Sequence, residues 1–409
     1  MVRNGTRLTG RGVALVLLGA LASAAAAYIG ELDLLWLTVA LVALPLLSVV
    51  YLVLARPRVR YERSVDPSQI PVGTTTRVVL RVANQSPAQS SALRFADAAP
   101  EPLGGGASFL IARGFGRWRQ AVGYTVEATR RGRFHLGPLR GTATDPFALA
   151  ARTFTAKGDE SVLRVTPKVW PLGKLSGAAG MGSAGDATPQ RLGPAGQDDV
   201  LVREHRHGDD MRRVHWKLSA KQNDLMVRLE EHPWDPSSTL IVDTRTVAHF
   251  GDGPRGSLEW AVSAVASVAA LLTEGRHRVA IVSPSGVVHQ SGRAVGESAK
   301  RAMIESLTDL TASDIDWLGE AVADPEAMGS SAAVIAVTGL LKPSDAAALV
   351  AASARARKLI ALVPDADAWG GAPHPEHDKA CRLLLGHGWT VERYGPGETV
   401  PLVWERVSR

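Results

Sequence analysis

The sequence predicts a membrane protein of mixed α/β class, with an N-terminal two-helix membrane hairpin, a small antiparallel β-sandwich and a C-terminal doubly wound α/β domain. Two long apolar spans, a following stretch of alternating apolar and polar residues, and a final alternation of strands and helices support this prediction. The predicted segments are the tail and hairpin, the β-domain, a flexible linker, a charged motif and the α/β domain: 1–55, 56–170, 171–200, 201–236 and 237–409.

Composition narrows the class of protein further. A chain of 409 residues with 45% apolar content is long enough for two or three cores. Basic residues exceed acidic ones, 46 to 40, and much of this excess lies beside the apolar spans, so lipid and topology explain it best. Cys381 is the single cysteine, which excludes intramolecular disulfides and fits a reducing compartment.

The hairpin is predicted from two uncharged spans, residues 12–30 and 34–55. Each has about the ~20 residues that a helix needs to cross a bilayer. The second contains Pro45, which a membrane helix tolerates as a kink. Only residues 31–33 separate the spans, so they predict a tight turn.

Charge beside the spans predicts the orientation of the hairpin. The turn carries the acids Glu31 and Asp33. Both outer flanks carry arginines: Arg3, Arg7 and Arg11 before the first span, and Arg56, Arg58, Arg60 and Arg63 after the second. The positive-inside rule therefore predicts a multi-pass protein of the cell membrane with both termini and most of the chain in the cytoplasm. The alternative is a cleaved signal peptide with an Ala-x-Ala site at 25–27. The second span would then stop transfer, and the same sidedness follows.

Residues 59–169 show strand periodicity. Apolar residues alternate with polar ones around Val78, Leu80 and Val82, and again from Trp118 to 126, with turn signals between the runs. This pattern predicts the β-sandwich. Residues 173–197 are rich in Gly, Ala, Ser and Pro and predict a linker.

The C-terminal part alternates between strand and helix patterns. Strands are predicted at 239–242, 279–282, 333–337, 359–363 and 389–393. Helices are predicted at 257–273, 297–310, 344–357 and 376–386. Such an alternation is typical of a parallel sheet with helices on both faces.

A charged motif at 203–221 lies between the two domains. Asp209 follows Gly208 and is predicted to cap a helix, with Asp210 in its first turn. Helical spacing places Met211, Val214, His215 and Leu218 on one, mainly apolar face. A basic stripe lies on another face: Arg213, Lys217 and Lys221. A short strand at 225–229 is predicted to follow.

The motif resembles the signature of the bacterial family called domain of unknown function 58, through Gly208, Asp209, Asp210, Arg213, His215, Trp216, Ser219 and Ala220. Further matches are 131–134 with 137–138, 145–147 and 165–167. Two departures are His205, where the family usually has Tyr, and Lys221, where it usually has Arg. The resemblance implies a von Willebrand factor A-like C-terminal domain and a link to MoxR-type AAA+ ATPases, but no reaction.

The resemblance also raises a metal site, because von Willebrand factor A folds often hold Mg²⁺ through Asp-x-Ser-x-Ser after the first strand. Here Asp243 stands at the Asp of this pattern, and Arg245 stands at its first Ser, so a cation lies where a hydroxyl ligand belongs. The loop at Thr338 has no acidic residue of its own within 338–340. We therefore expect a degenerate site at Asp243, Arg245 and Thr338, with no bound metal and no cofactor. Asp243 is expected to cap a helix or to order its loop.

The charged motif also contains residue types that occur in metal sites and in nucleic-acid interfaces. His205, His207, Asp209 and His215 have spacings that a metal site permits, but no Cys accompanies them, and charged hydrogen bonding at a domain junction is the favoured explanation. Trp216 beside the basic stripe could contact nucleic acid, which the intervening carboxylates disfavour. No P-loop, Gly-x-Ser-x-Gly or Cys/His pairing occurs in the sequence.

Two classes of function remain. The favoured one is a non-catalytic, membrane-anchored interaction or assembly factor that docks a MoxR-type AAA+ ATPase, and other membrane proteins are possible partners. The alternative is an unrecognised enzyme with a site around Asp209, Asp210 and His215. The predicted site is a partner-binding or domain-junction motif: Gly208, Asp209, Asp210, Arg213, His215, Trp216, Lys217, Ser219 and Lys221.

Overall fold

A computed structural model of the chain describes residues 5–30, 33–55, 57–86, 93–112, 116–174, 202–204, 216–222, 224–228, 237–275, 277–291, 296–322, 331–370 and 373–408. The chain divides into two compact units. The first comprises Met1–Val169, Gly251–Glu259 and Ile304–Thr311, and the second comprises Trp170–Phe250, Trp260–Met303 and Ala312–Arg409. Most of the predicted linker, from residue 175 onward, lies outside the described residues.

Two apolar helices form an antiparallel pair at the N-terminus of the first unit. Helix α1 covers Gly10–Ile29 and α2 covers Asp33–Leu54, with Pro45 inside α2. Both are long and apolar enough to span a membrane, which supports membrane association. A third helix, Ser257–Glu274, meets the same length and composition criteria, but most of its window is buried inside the protein.

Small residues allow the two helices to pack closely. A Cβ added at Gly19 would lie 2.7 Å from Val42 Cγ2, so the glycine is what permits this approach. Thr9 caps α1 by accepting a hydrogen bond from the Gly12 N–H. Gly30 ends the helix with φ of 78°, a left-handed conformation that glycine adopts without strain.

Eleven strands of the first unit, β1 to β11, form three sheets in the part of the chain that the structure describes. Their bounds are Gly5–Leu8, Val59–Asp66, Gln69–Pro71, Thr75–Asn84, Leu93–Asp97, Ala107–Ile111, Trp118–Glu127, Gly132–Leu136, Leu139–Thr144, Ala150–Thr155 and Ser161–Thr166. The sheet orders are β1-β10-β9-β5-β6, β2-β4-β7 and β3-β11-β8. Strands β3 and β11 pair in parallel, so the sheets are not entirely antiparallel as predicted.

Strand alternation buries one face of each of these sheets. The β2-β4-β7 and β1-β10-β9-β5-β6 sheets share an apolar cluster that includes Leu80, Val82, Phe95 and Leu139. A second cluster joins Val78 and Val126 to residues of β3, β8 and β11. The predicted N-terminal tail is also part of the fold, because β1 pairs antiparallel with β10. The hairpin and β-domain therefore belong to one unit.

The second unit is built on a six-stranded sheet in the order β16-β15-β14-β17-β18-β19. The strands are β14 Ser237–Val242, β15 Arg278–Ser283, β16 Gly286–Gln290, β17 Ala333–Val337, β18 Lys358–Pro364 and β19 Thr390–Tyr394. All pairs are parallel except β15 with β16. The antiparallel edge strand β16 was not predicted.

Helices accompany these strands at α4 Ser257–Glu274, α5 Glu297–Thr308, α6 Gly319–Val322, α7 Pro343–Ala352, α8 Ala366–Gly370, α9 Pro375–Gly386 and α10 Val400–Ser408. Helices α6, α8 and α10 were not predicted. Helix α7 ends at Ala352, earlier than predicted, and the Arg357 N–H donates to the Ala332 carbonyl at 3.0 Å instead of continuing the helix.

Candidate functional site

The topology of the six-stranded sheet indicates a candidate site at the carboxyl ends of its central strands, β14 and β17. From β14 the chain crosses to β15 on one side, and it later returns to β17 on the other side. Connections that diverge in this way open a crevice at the carboxyl ends of the two strands, where open α/β sheets bind ligands. Asp243 directly follows β14, and Thr338 directly follows β17.

An arginine side chain fills this crevice. Arg245 is only 1% exposed, and all five of its guanidinium donors are used. Nε and Nη2 donate to the two oxygens of Asp243 at 3.0 and 2.8 Å. Nη1 donates to Asp345 Oδ2 at 2.9 Å and to the Asp316 carbonyl at 3.2 Å, and Nη2 also donates to the Leu340 carbonyl at 2.9 Å.

The two carboxylates are satisfied as fully as the guanidinium. Asp243 Oδ2 accepts the Gly339 N–H at 3.1 Å, and its Oδ1 accepts the backbone N–H of the arginine. Asp345 lies in the first turn of α7 and accepts the N–H groups of Leu318 and Lys342 at 3.1 and 2.9 Å. Both carboxylates are 0% exposed, so these bonds replace the water that they lose on folding.

The cluster stabilises the charge of its cation. Burial lowers the pKa of the Arg245 guanidinium, but bonding to Asp243 and attraction to Asp243 and Asp345 outweigh burial, so the pKa is raised. Burial, together with the charge of Asp243, raises the pKa of Tyr394 well above its usual value. The Tyr394 hydroxyl donates to the Thr338 carbonyl at 2.9 Å, and the neutral phenol supports the strand end.

Neighbouring backbone closes the crevice. Ser313 N donates to the Thr244 carbonyl at 2.7 Å, and Thr246 N donates to the Ser313 carbonyl at 2.8 Å. A Cβ at Gly339 would lie 2.3 Å from the Ala248 carbonyl oxygen, so only glycine permits this loop contact. The guanidinium therefore lies beneath the protein's own loops.

The predicted degenerate metal site is thus only partly assembled as expected. Asp243 and Arg245 are in contact, and Thr338 Oγ1 is buried without a hydrogen-bond partner in the part of the chain that the structure describes. The second carboxylate, Asp345, was missed because it comes from a helix several residues beyond the loop. Among the described residues, no group of three or more His, Cys, Asp or Glu side chains could hold a metal ion.

The structure describes the charged motif only at its two ends, residues 203–204 and 216–221. Helix α3 covers Trp216–Gln222, and its first residue, Trp216, is 64% exposed. Ser219 Oγ accepts the Met226 N–H at 2.8 Å, which joins α3 to strand β13, and Lys221 is exposed. Strand β13, Met226–Arg228, pairs antiparallel with β12, Val202–Glu204.

The rest of the motif lies outside the residues that the structure describes. This applies to the predicted cap and junction residues and to the possible histidine ligands: His205, His207, Gly208, Asp209, Asp210, Arg213 and His215. The side chain of Lys217 is also outside the description. The predicted basic stripe and the predicted helix start therefore remain predictions.

Comparison with protein families bears on both the motif and the arginine cluster. Residues 201–368 match the family model described as Protein of unknown function DUF58. The match confirms the resemblance for that segment, which contains Asp243, Arg245 and Asp345. No curated protein matches the chain.

Several solved structures resemble parts of the chain weakly. The CARDB domain of the PF1109 protein from Pyrococcus furiosus is 12% identical, with a TM-score of 0.18 over 25% of this chain and 93% of that one. A beta-glucosidase from Listeria innocua is 10% identical, with a TM-score of 0.16 over 25% and 16%. Beta-glucosidase 3B from Thermotoga neapolitana is 16% identical, with a TM-score of 0.15 over 27% and 17%. This chain therefore spans a small part of the two glucosidases.

Proposed function

We propose that the protein is a membrane-anchored, non-catalytic interaction or assembly factor whose cytoplasmic α/β domain works with a MoxR-type AAA+ ATPase. The occupied crevice carries the proposal. Where open α/β sheets bind substrates or ions, this domain holds its own guanidinium, with every donor and both carboxylates already engaged. Because the crevice at the carboxyl ends of the strands is already filled, the domain is better suited to binding another protein through its outer surface.

The finer fold of the domain is part of the same proposal. We regard it as von Willebrand factor A-like, which the Asp directly after the first strand and the five parallel strands support. The nature of the ATPase partner comes from the family resemblance alone. The cytoplasmic orientation is supported by the arginines on both flanks of the hairpin and the acidic turn between the spans.

Helix α3 is the proposed docking surface. Trp216 is a large aromatic side chain that is mostly exposed, and exposed aromatic residues are frequent anchors in protein–protein interfaces. Lys221 is exposed on the same short helix. Together with Arg213 and Lys217 it would present an aromatic and basic surface to an acidic partner. Charges of this kind mainly accelerate association and make it sensitive to salt.

The test is a pull-down of the detergent-purified full-length protein with the MoxR-type ATPase. Trp216→Ala and the double variant Arg213→Glu/Lys217→Glu should each weaken capture, the latter most strongly at low salt, and leave the melting temperature unchanged. The matched control is Arg355→Glu/Arg382→Glu, which reverses two exposed charges elsewhere in the second unit. Normal capture by both test variants would refute the docking surface, and absence of capture by the wild type would refute the partner.

A further inference from the structure

One end of the β2-β4-β7 sheet lies next to the membrane helices. Helix α2 ends at Leu54, and β2 begins at Val59 after a short connection. The strand register places Val59 opposite Asn84, and Asn84 opposite Trp118. The start of β2, the end of β4 and the start of β7 therefore all meet at the membrane side of the sheet.

Contacts within the first unit hold this end of the β-domain against the hairpin. Thr9, the residue before α1, donates through Oγ1 to the Ala148 carbonyl at 2.6 Å. Arg152 Nη1 donates to the Leu52 carbonyl at 3.1 Å, near the end of α2. The distance between the β-domain and the ends of the helices is therefore fixed by direct bonds rather than by a loose tether.

An open cavity of about 610 Å³ lies at this end of the sheet. Its lining combines three arginines, two carboxamides and an indole with no carboxylate among the described lining residues: Arg58, Ala83, Asn84, Gln85, Arg117, Trp118 and Arg119. The Gln85 N–H donates to the Arg58 carbonyl at 2.9 Å and holds the first arginine beside the end of β4. In the described part of the chain, none of the three arginines forms a salt bridge with a carboxylate.

The adjacent cavity, of about 740 Å³, differs in charge. It mixes arginines and Lys157 with Glu62 and Asp159, so its basic groups have carboxylates nearby. The two cavities share Arg119 and Gln85, but Glu62 and Asp159 line only the adjacent one. Of the two, the first cavity, at the end of the strands, therefore has the more positive lining. An anionic ligand is therefore expected in the first cavity.

We propose that the arginine cavity binds the headgroup of an anionic phospholipid. Guanidinium groups donate two parallel hydrogen bonds to phosphate oxygens, and the exposed Gln85 carboxamide is suited to headgroup hydroxyls. The buried Asn84 carboxamide is instead bonded to the Ser86 backbone and shapes the cavity wall. The volume lies in the range of small-molecule sites. Trp118 is half-buried beside the cavity, and tryptophan is enriched where proteins meet the membrane surface. Attachment beside the end of α2 favours a lipid over a soluble phosphate.

The experiment measures binding of a fluorescent phosphatidylglycerol to the full-length protein in nanodiscs of phosphatidylcholine. The test variant is Arg117→Gln/Arg119→Gln, and the matched control is Arg77→Gln/Arg140→Gln, which removes two exposed arginines far from this end of the strands. Loss of two contacts should weaken binding roughly 25-fold, at about fivefold for each basic residue. The control variant should bind as the wild type does.

Three outcomes would overturn the proposal. Equal weakening in the control would show that binding follows net charge and not the cavity. Equal affinity for a fluorescent phosphatidylcholine would show that the cavity does not distinguish an anionic headgroup from a zwitterionic one. Displacement of the lipid by soluble glycerol phosphate at a similar concentration would assign the cavity to a free phosphate. Thermal melts of both variants serve to detect loss of folding, and Arg58→Gln then provides an independent test variant.

Discussion

Single buried arginines organise both units by the same chemistry. Arg245 is held between two buried carboxylates in the second unit. In the first unit, Arg63 and Asp97 form a fully buried ion pair, and the Tyr124 hydroxyl donates to Asp97 at 2.5 Å. Burial and this bond raise the pKa of Tyr124. In each case the desolvated charge is stabilised by an oppositely charged partner and by hydrogen bonds to that pair.

The Arg245 cluster leads to a prediction about stability. Arg245→Met should lower the free energy of unfolding by about 3–5 kcal/mol, because it leaves the carboxylates of Asp243 and Asp345 buried without their cation. The measurement is urea unfolding of the detergent-purified full-length protein, followed by tryptophan fluorescence. Arg355→Met, at an exposed position, is the control and should change stability by less than about 0.5 kcal/mol. A similarly small loss for Arg245→Met would contradict the structural role assigned to the cluster.

Among the elements, the junction of α1 with the β-domain depends on close backbone contact. Strand β1 leads directly into α1, and the Thr9 N–H donates to the Leu149 carbonyl at 2.9 Å. Ser48 in α2 donates to Asp145 Oδ2 at 3.1 Å in the same loop. Gly12 allows this arrangement, since an added Cβ would lie 2.2 Å from the Leu149 carbonyl oxygen. The loop between β9 and β10 is therefore part of the membrane anchor.

Replacement of this glycine gives the second prediction. Gly12→Ala should destabilise the protein by about 1–3 kcal/mol, because the new methyl group overlaps backbone that cannot rotate away. Gly10→Ala is a stringent control: nothing lies within 4 Å of its added Cβ, and alanine is the better helix former. Melting temperatures of the two full-length variants in detergent decide the matter, and equal values would show that the junction is loose.

At the scale of the whole chain, the membrane hairpin carries an asymmetric distribution of charge. Arginines flank both outer ends of the hairpin, while the predicted turn carries two acids, so charge alone specifies a preferred orientation. The arginine cavity lies on the same side as these flanks. Arg58 belongs both to the flank that follows the second span and to the lining of this cavity.

The third prediction concerns this orientation. A reporter that is active only in the cytoplasm should be active when it is fused after Arg409, and a reporter that requires export should be inactive there. Inverting the flanking charge, by changing Arg3, Arg7 and Arg11 to Glu, should reduce the cytoplasmic signal. Activity of the exported reporter in the unmodified protein would reverse the proposed sidedness and remove the cytoplasmic partner from consideration.

Local patterns were sufficient for most of the elements. The two spans, and strand β17 at Ala333–Val337, were predicted from the sequence because apolar length and periodicity are properties of neighbouring residues. The same reasoning missed β1 and β16. Strand β1 is short and polar, and it exists only because it pairs with residues 150–153, far along the chain. Strand β16 is a weakly apolar sheet edge.

The candidate site was likewise predicted only in part from the sequence. From the sequence alone, Asp243 could be placed at the end of a strand, and Arg245 could be recognised as a cation in a ligand position. Only the tertiary structure decided that Asp345, 100 residues beyond Arg245, completes the cluster. It also decided that three arginines meet at the membrane end of one sheet. Periodicity reports which side of its own element a residue faces, whereas pairing of buried charges depends on strand order and register, which distant contacts determine.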